Sequence, residues 1–238
     1  MVLTTMKLEI FRWEPGASEK FQDFTIEPRE GMTILDALVE IQRTQDPTLA
    51  FRYYCRVGMC GSCGMVVNGQ ERWACRTLLA TLGSETITVR PLYNLPLLRD
   101  LVVDPIPQRQ KMAELGAVFV PKADGESATQ FAPINGDSAE RRAIDPAIQC
   151  IGCGMCVSAC EMVAQDSTFL GPLILNRLFT LQTDSRDDAH GERQALLMAT
   201  DSLSRCHTHA SCGSVCPMGI NPAQSIIALR RQSLARPK

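Results

Sequence analysis

Residues 150–160 read CIGCGMCVSAC and place four cysteines, Cys150, Cys153, Cys156 and Cys160, at gaps of two, two and three residues. Three thiolates this close together can reach three corners of a cubane iron-sulfur cluster from one tight loop. The fourth, carried onto the following helix, points toward a second cluster. The run therefore predicts two clusters, whose missing ligands come from elsewhere in the chain.

A second run near the carboxyl end supplies three more cysteines. It follows the same two-two-three pattern, but His209 stands where the second cysteine would be. Seven cysteines fall one short of two full cubanes, and a cluster with three thiolates tends to lack its fourth iron. Because the fourth cysteine of such a run ligates the other cluster, we predict a [4Fe-4S] cluster on Cys150, Cys153, Cys156 and Cys216, and a [3Fe-4S] cluster on Cys160, Cys206 and Cys212. His209 either ligates a fourth iron, since imidazole binds iron, or lines the cluster pocket, which is the favoured interpretation.

The amino-terminal half carries a different ligand pattern. The plant-type [2Fe-2S] spacing, here with gaps of four, two and eleven residues, is matched by Cys55, Cys60, Cys63 and Cys75. Gly58, Gly61 and Gly64 are expected to adopt positive φ and to bring backbone N–H groups near the cluster sulfurs. A four-cysteine zinc site is the alternative, but such sites usually pair two short Cys-x-x-Cys knuckles. Arg56 is expected to be a solvated or docking charge.

Composition restricts the class of protein. The 238 residues suggest two domains. A net charge of -2 gives no electrostatic footprint for nucleic acid. Eleven cysteines at ligand-like spacings indicate a reducing compartment rather than a disulfide framework. The apolar stretch 173–181 is interrupted by Asn176 and Arg177 and falls short of the roughly 20 residues that span a bilayer. No leader pattern precedes the first predicted strand.

The first half alternates apolar and polar residues in the manner of a sheet. Residues 7–13 and 21–26 flank a Pro15-Gly16 turn signal and predict a β-hairpin. Thr33 is expected to cap a helix whose apolar face is formed by Ile34, Leu35, Ala37, Leu38 and Ile41. Short strands around 65–67 and 86–90 would complete a small mixed sheet with one helix packed across it.

The second half loses this alternation and is expected to be helical. Residues 91–108 are interpreted as a strand end, a short helix and a linker, so the predicted domains are 1–105 and 106–238. Residues 121–136 predict an irregular surface loop. The helices are expected at 108–115, 139–148, 173–181, 192–203 and 222–232. The fold class is therefore α+β.

Several motifs together resemble the iron-sulfur subunit of succinate dehydrogenase and quinol:fumarate reductase, over nearly the whole chain. They are YYCRVGMCGSCGMVVNG at 53–69, Gly171-Pro172, DSRD at 184–187, the run at 150–156 and SCGSVCPMGINP at 211–222. The resemblance implies a plant-type ferredoxin domain of β-grasp fold, followed by an all-α domain like bacterial ferredoxins. It also implies a chain that relays electrons through its clusters and performs no bond chemistry. No G-x-G-x-x-G fingerprint or acid/base pair is found in the sequence, which agrees with that role.

The resemblance further implies partners and a location. A flavoprotein subunit with covalent FAD would interconvert succinate and fumarate, and a membrane anchor, with or without haem b, would bind quinone beside the [3Fe-4S] cluster. The chain would then be a peripheral protein on the cytoplasmic face of a bacterial membrane. His207 matches a family position near the quinone, and its alternative interpretation is a surface or docking histidine.

Two departures from the family concern the quinone. Glu161 follows Cys160 where the family often has proline, and EMVAQDSTF at 161–169 lacks the serine and paired tryptophans of ubiquinone-reducing members. These absences favour menaquinone and fumarate reduction. Alternatives of other classes are the iron-sulfur subunit of a soluble fumarate reductase, a free ferredoxin-like carrier with a markedly acidic surface, and a colourless zinc module.

Overall fold

The computed structural model describes residues 5–122 and 136–234. It divides into two compact units. The first contains residues 5–105 together with Ile151–Ala159, and the second contains the rest of the described chain. The units therefore differ from the predicted domains by the segment 151–159.

The first unit is built on a five-stranded mixed sheet; the sequence predicted a mixed sheet with four of these strands. In the order β2-β1-β5-β3-β4, its strands are β1 (Met6–Arg12), β2 (Lys20–Ile26), β3 (Gly64–Val67), β4 (Gln70–Trp73) and β5 (Thr86–Arg90). β1 pairs antiparallel with β2 and parallel with β5. Leu8 and Ile10 are fully buried on one face of β1, which is the reason for the alternation seen in the sequence.

One helix, α1 (Ile34–Thr44), accompanies this sheet. The Thr33 hydroxyl accepts a hydrogen bond from the backbone N–H of Asp36, and the Asp36 carboxylate accepts one from the N–H of Thr33, which forms a capping box. The buried side chains of α1 are the predicted five, Ile34, Leu35, Ala37, Leu38 and Ile41. Both the cap and the apolar face are confirmed.

Residues 91–108 contain a hairpin where a short helix was predicted. Its strands are β6 (Leu97–Arg99) and β7 (Val102–Val103), joined at Asp100, which has φ +44°. The buried Asp100 carboxylate accepts hydrogen bonds from Arg12 Nε (3.1 Å) and from the N–H groups of Trp13 (3.0 Å) and Ala50 (2.9 Å). These contacts come from positions about 50 to 88 residues away in sequence, so local pattern could not reveal them.

The second unit is described as helices and short connecting segments. They are α2 (Ile106–Glu114), α3 (Ala139–Ile144), α5 (Glu161–Gln165), α6 (Gly171–Thr183), α7 (His190–Ala199), α8 (Ser202–Arg205), α9 (Ser211–Ser214) and α10 (Pro222–Leu234), while α4 (Met155–Ser158) lies in the first unit. The core surrounds α6, whose Asn176 donates to Ala147 O (3.0 Å) and accepts from the Ser225 hydroxyl of α10 (2.8 Å). This buried polar pair is satisfied, so it does not weaken the core.

Two predicted helices are shorter than expected. The helix predicted at 139–148 ends at Ile144, and a single 3-10 turn follows at Ala147–Gln149, because Pro146 lacks the N–H that would continue it. The helix predicted at 192–203 is divided into α7 and α8, since Asp201 adopts φ +52°. The predicted loop at 121–136 lies almost wholly outside the described residues.

A fully buried ion pair ties the second unit together. Arg193 and Asp187, whose side chains are 1% and 0% exposed, form two hydrogen bonds of 3.0 and 3.1 Å. Arg193 also donates to the carbonyl oxygens of Gly116 (3.0 Å) and Val118 (3.1 Å). The pair thus holds residues 116–118 against α7. Within the described ranges, no helix is both long and apolar enough to cross a membrane.

Candidate metal centres

The four cysteines of the plant-type pattern lie on and beside the β3–β4 hairpin. Cys63 immediately precedes β3 and Cys75 follows β4 by two residues, while the backbone N–H of Ala74 donates to Cys63 O (3.1 Å). The Cys55 sulfur accepts hydrogen bonds from the N–H groups of Met59 and Cys60, both at 3.3 Å. The sheet therefore fixes two of these thiols, and a hydrogen-bonded loop carries the other two.

The electrostatics of these thiols differ sharply. Hydrogen bonds from the backbone N–H groups of Met59, Val57 and Cys60 lower the pKa of Cys55 to about 6. Burial, together with the neighbouring Cys75 and Cys60, raises the pKa of Cys63 to about 12. The four thiols thus form one interacting group. Cysteine binds a metal as the thiolate, so binding of a metal to this buried thiol releases its proton. A group of four interacting thiols is therefore a suitable donor set for a cluster.

The glycines around this loop were predicted to have positive φ. Gly58 and Gly61 do, with φ of +75° and +73°, whereas Gly64 does not, because it already belongs to β3. The prediction for Gly64 was therefore wrong. Arg56 also has positive φ (+59°) and is exposed, with its guanidinium carbon 4.9 Å from the centroid of the Tyr53 ring.

Gly61 also lies against a cysteine of the other predicted motif. A Cβ at Gly61 would lie 2.6 Å from Cys153 Cβ and 3.2 Å from its Cα. We expect Gly61→Ala to displace Cys153 and to lower the occupancy of the cluster predicted to bind there, measured as spins per chain by EPR. Gly69→Ala is the matched control, because Gly69 has nearly the same φ (+76°) but open space around it. It carries only the backbone strain of about 1–2 kcal/mol. Equal cluster occupancy in the two variants would contradict the steric argument.

The segment that contains Cys153 and Cys156 is held by the first unit. The Ser158 hydroxyl accepts a hydrogen bond from the N–H of Tyr93 (2.9 Å) and donates one to Glu71 (2.7 Å). The Asn94 amide donates to the carbonyl oxygens of Val157 and Ser158, both at 3.0 Å. These contacts explain why residues 151–159 belong to the first unit, although the predicted second domain includes them. The local sequence pattern did not predict these contacts.

The second unit brings together the three cysteines of the predicted three-iron set. Cys160 precedes α5, Cys206 follows α8, and Cys212 lies within α9. Burial raises the pKa of Cys212 to about 11, and the charges of Cys160 and Cys206 raise it as well. Burial likewise raises the pKa of Cys160, with Cys206 contributing. The three thiols therefore lie within electrostatic reach of one another.

The predicted four-iron set is divided between the units. Cys153 and Cys156 belong to the first unit, and Cys150 and Cys216 belong to the second. Its assignment stays a prediction. In residues 5–122 and 136–234, no group of three or more His, Cys, Asp or Glu side chains is arranged to hold a single metal ion.

His209 has a carboxylate partner in the second unit. Its Nδ1 lies 3.1 Å from Glu161 Oε2, and its ring centroid lies 6.0 Å from that of His207. An ion pair joins Arg205 to Asp166. Each pair connects the segment beginning at Cys160 with the segment around Cys206. His207 is exposed.

Both halves of the chain match families of iron-sulfur proteins. A model described as a 2Fe-2S iron-sulfur cluster binding domain matches residues 7–110, and one described as a 4Fe-4S dicluster domain matches residues 146–220.

Individual relatives align along almost the full chain. The fumarate reductase iron-sulfur subunit of Mycobacterium tuberculosis is 34% identical over 226 residues, which cover 93% of this chain and 89% of the relative. The mitochondrial succinate dehydrogenase (ubiquinone) iron-sulfur subunit of Candida glabrata is 33% identical over 232 residues, with coverage of 94% and 89%. A chain from the solved Mycobacterium smegmatis Sdh1 complex in the apo form has a TM-score of 0.86 at 28% identity, covering 98% of this chain and 96% of that one.

Proposed function

Because this chain belongs to the family of succinate dehydrogenase and fumarate reductase iron-sulfur subunits, we propose which of its residues hold the electron carriers. The chain is an electron-relay subunit of an oxidoreductase complex, and it binds [2Fe-2S] and [4Fe-4S] clusters. The active site for succinate or fumarate lies on a partner subunit. When bound, the clusters supply one-electron carriers between the FAD of that partner and a quinone.

The eleven cysteines are assigned to three sets. The [2Fe-2S] cluster is held by Cys55, Cys60, Cys63 and Cys75, the [4Fe-4S] cluster by Cys150, Cys153, Cys156 and Cys216, and a [3Fe-4S] cluster by Cys160, Cys206 and Cys212. The observation that carries this assignment is that Cys160 and Cys206 both raise the pKa of Cys212. Cys160 belongs to the first run, far in sequence from the other two, so the three form one set only if the two runs exchange their fourth cysteines.

The fold is assigned more finely in the same way. The mixed sheet accompanied by α1 supports a β-grasp fold for the first unit. The second unit, described as helices with short connections, supports an all-α ferredoxin-like domain. The two architectures suit their tasks, because a sheet hairpin fixes two of the two-iron thiols, whereas short helices and the residues that flank them carry the cysteines of the three-iron set.

An exposed apolar patch beside the two-iron loop is the proposed docking surface for the flavoprotein. It consists of Tyr54, Val57 and Met59, whose exposed fractions are 85%, 58% and 69%. The patch is located on the loop that carries Cys55 and Cys60. A partner that docks there would lie close to these cysteines, so an electron that enters from it would have a short path. The patch therefore serves both assembly and electron transfer.

Met59→Glu should weaken assembly with the flavoprotein. Burying an unpaired carboxylate in an apolar interface costs about 2 kcal/mol or more, which is roughly a 30-fold loss of affinity. Co-purification of the flavoprotein with the tagged chain measures this effect. Leu98→Glu is the control, since Leu98 is also an exposed apolar residue of the first unit (43%) but lies on β6. An undiminished yield for Met59→Glu would remove this patch from the interface.

The quinone side is assigned to the second unit. We assign His207 to the quinone-facing surface, because it is exposed and directly follows Cys206. A membrane anchor, with or without haem b, would cover this surface, and the chain would be peripheral on the cytoplasmic face of a bacterial membrane. Menaquinone is the proposed quinone, since 161–169 lacks the serine and tryptophans noted above.

Low-temperature EPR of the purified complex tests the assignment. An isotropic three-iron signal in the oxidised sample, with two-iron and fast-relaxing four-iron signals on reduction, is expected. A silent oxidised sample with two four-iron signals on reduction would instead place His209 or an outside ligand on the second cubane.

The same preparation, assayed with a naphthoquinone and with ubiquinone, should prefer the naphthoquinone. Purification as a monomer without membrane partners would favour the free-carrier alternative.

A further inference from the structure

Arg230 on α10 reaches the end of the helix that precedes a proposed cluster ligand. Its Nε donates to Leu203 O at 2.5 Å, and one terminal nitrogen donates to Ser204 O at 3.4 Å and to Cys206 O. One guanidinium thus spans the last turn of α8 and the backbone of Cys206. No sequence motif drew attention to this arginine.

These carbonyl oxygens need an outside donor. A helix leaves its last four carbonyl groups without intrahelical partners, and α8 is only four residues long. Cys206, at the C-cap, has already left the helix with φ −74° and ψ +116°. A planar guanidinium with several fixed donors can hold all of these oxygens at once. Arg230 therefore determines where the chain turns from α8 into the ligand segment.

Arg230 also differs electrostatically from the other basic side chains nearby. Arg205 is paired with Asp166, and His209 faces Glu161. The acceptors of Arg230 are neutral carbonyl groups, and among the described residues it makes no ion pair. Reduction adds one negative charge to a cluster, and an uncompensated, partly buried cation beside it favours the reduced form.

We propose that Arg230 is a positioning residue for the cluster bound by Cys206: it fixes the Cys206 backbone and raises the midpoint potential of that cluster. This inference rests on the proposed assignment of Cys206 to the [3Fe-4S] set. Through this one side chain, α10 would influence how readily the last carrier before the quinone accepts an electron.

A potentiometric EPR titration of the purified complex tests this proposal. Arg230→Gln should shift the midpoint of the Cys206 cluster downward and leave the two-iron midpoint unchanged. Arg231→Gln is the matched control, because it removes the same charge from the adjacent, exposed position of the same helix. Equal shifts in the two variants, or no shift in Arg230→Gln, would overturn the proposal.

Arg230→Lys separates geometry from charge. It keeps the positive charge but loses the fork that serves several carbonyl groups, so we expect a midpoint near that of the wild type together with lower occupancy of this cluster. This variant also preserves the test if Arg230→Gln fails to assemble. Wild-type occupancy in Arg230→Lys would contradict the positioning role.

The test remains separable from the ligand assignment. If the wild-type complex contains two four-iron clusters, the three-iron assignment is wrong, but the cluster that depends on Cys206 can still be identified as the one lost in Cys206→Ser. The shift caused by Arg230→Gln would then be measured on that cluster.

Discussion

Arg193→Met should lower the thermal unfolding midpoint by roughly 6–20 °C, since removing one partner of a buried ion pair costs about 3–5 kcal/mol. The methionine would leave the Asp187 carboxylate buried without its cation, and it would leave two carbonyl oxygens, of Gly116 and Val118, without their donor. Calorimetry of the purified complex at a fixed scan rate measures the shift, because unfolding of such complexes is often irreversible.

Arg141→Gln is the matched control in the same unit. Arg141 of α3 pairs at 3.0 Å with Asp145, the C-cap of that helix, but the Asp145 side chain is more than half exposed. An ion pair of this kind contributes less than about 1 kcal/mol, so the midpoint should barely move. Similar shifts in Arg141→Gln and Arg193→Met would mean that burial does not decide the contribution of the Arg193 pair.

The second large expected effect distinguishes the roles of Cys212 and Cys216, which lie four residues apart. Cys212→Ser should abolish the isotropic three-iron signal and leave the four-iron signal, whereas Cys216→Ser should do the reverse. The physical reason is the exchange of ligands between runs: Cys212 lies within electrostatic reach of Cys160 and Cys206, while Cys216 is assigned to the other cluster. EPR of the oxidised and reduced complexes measures both signals in one sample.

Each serine variant serves as the control for the other. Both change a sulfur to an oxygen in the same short segment, so a general loss of stability would affect them alike. Loss of the same single signal in both variants would show that the two cysteines share one cluster, and the interleaved assignment would fail.

The sequence was informative where spacing is dictated by local chemistry. Ligand gaps follow from the size of a cluster, and α1 and strands β1, β2, β3 and β5 follow from alternation or helical periodicity. β4 was missed because QERW has no apolar alternation, although Asn68-Gly69 is a strong hairpin signal. Both residues have the positive φ, +48° and +76°, that such a turn requires.

The remaining features depend on contacts between distant residues. Asp100 turns β6 into β7 because Arg12, Trp13 and Ala50 surround its carboxylate. Arg193 and Arg230 read as ordinary surface arginines in an amphipathic pattern, and only the folded chain shows that they bind carbonyl groups of other segments. Charged residues of this kind have no local periodicity that would identify their partners.

The attachment of Ile151–Ala159 to the first unit also has a consequence for biosynthesis. Glu71, Tyr93 and Asn94 leave the ribosome long before Ser158, which supplies their partner atoms. The amino-terminal unit therefore cannot complete its own packing during the early part of translation, and a gene fragment that stops at residue 105 encodes an unfinished ferredoxin.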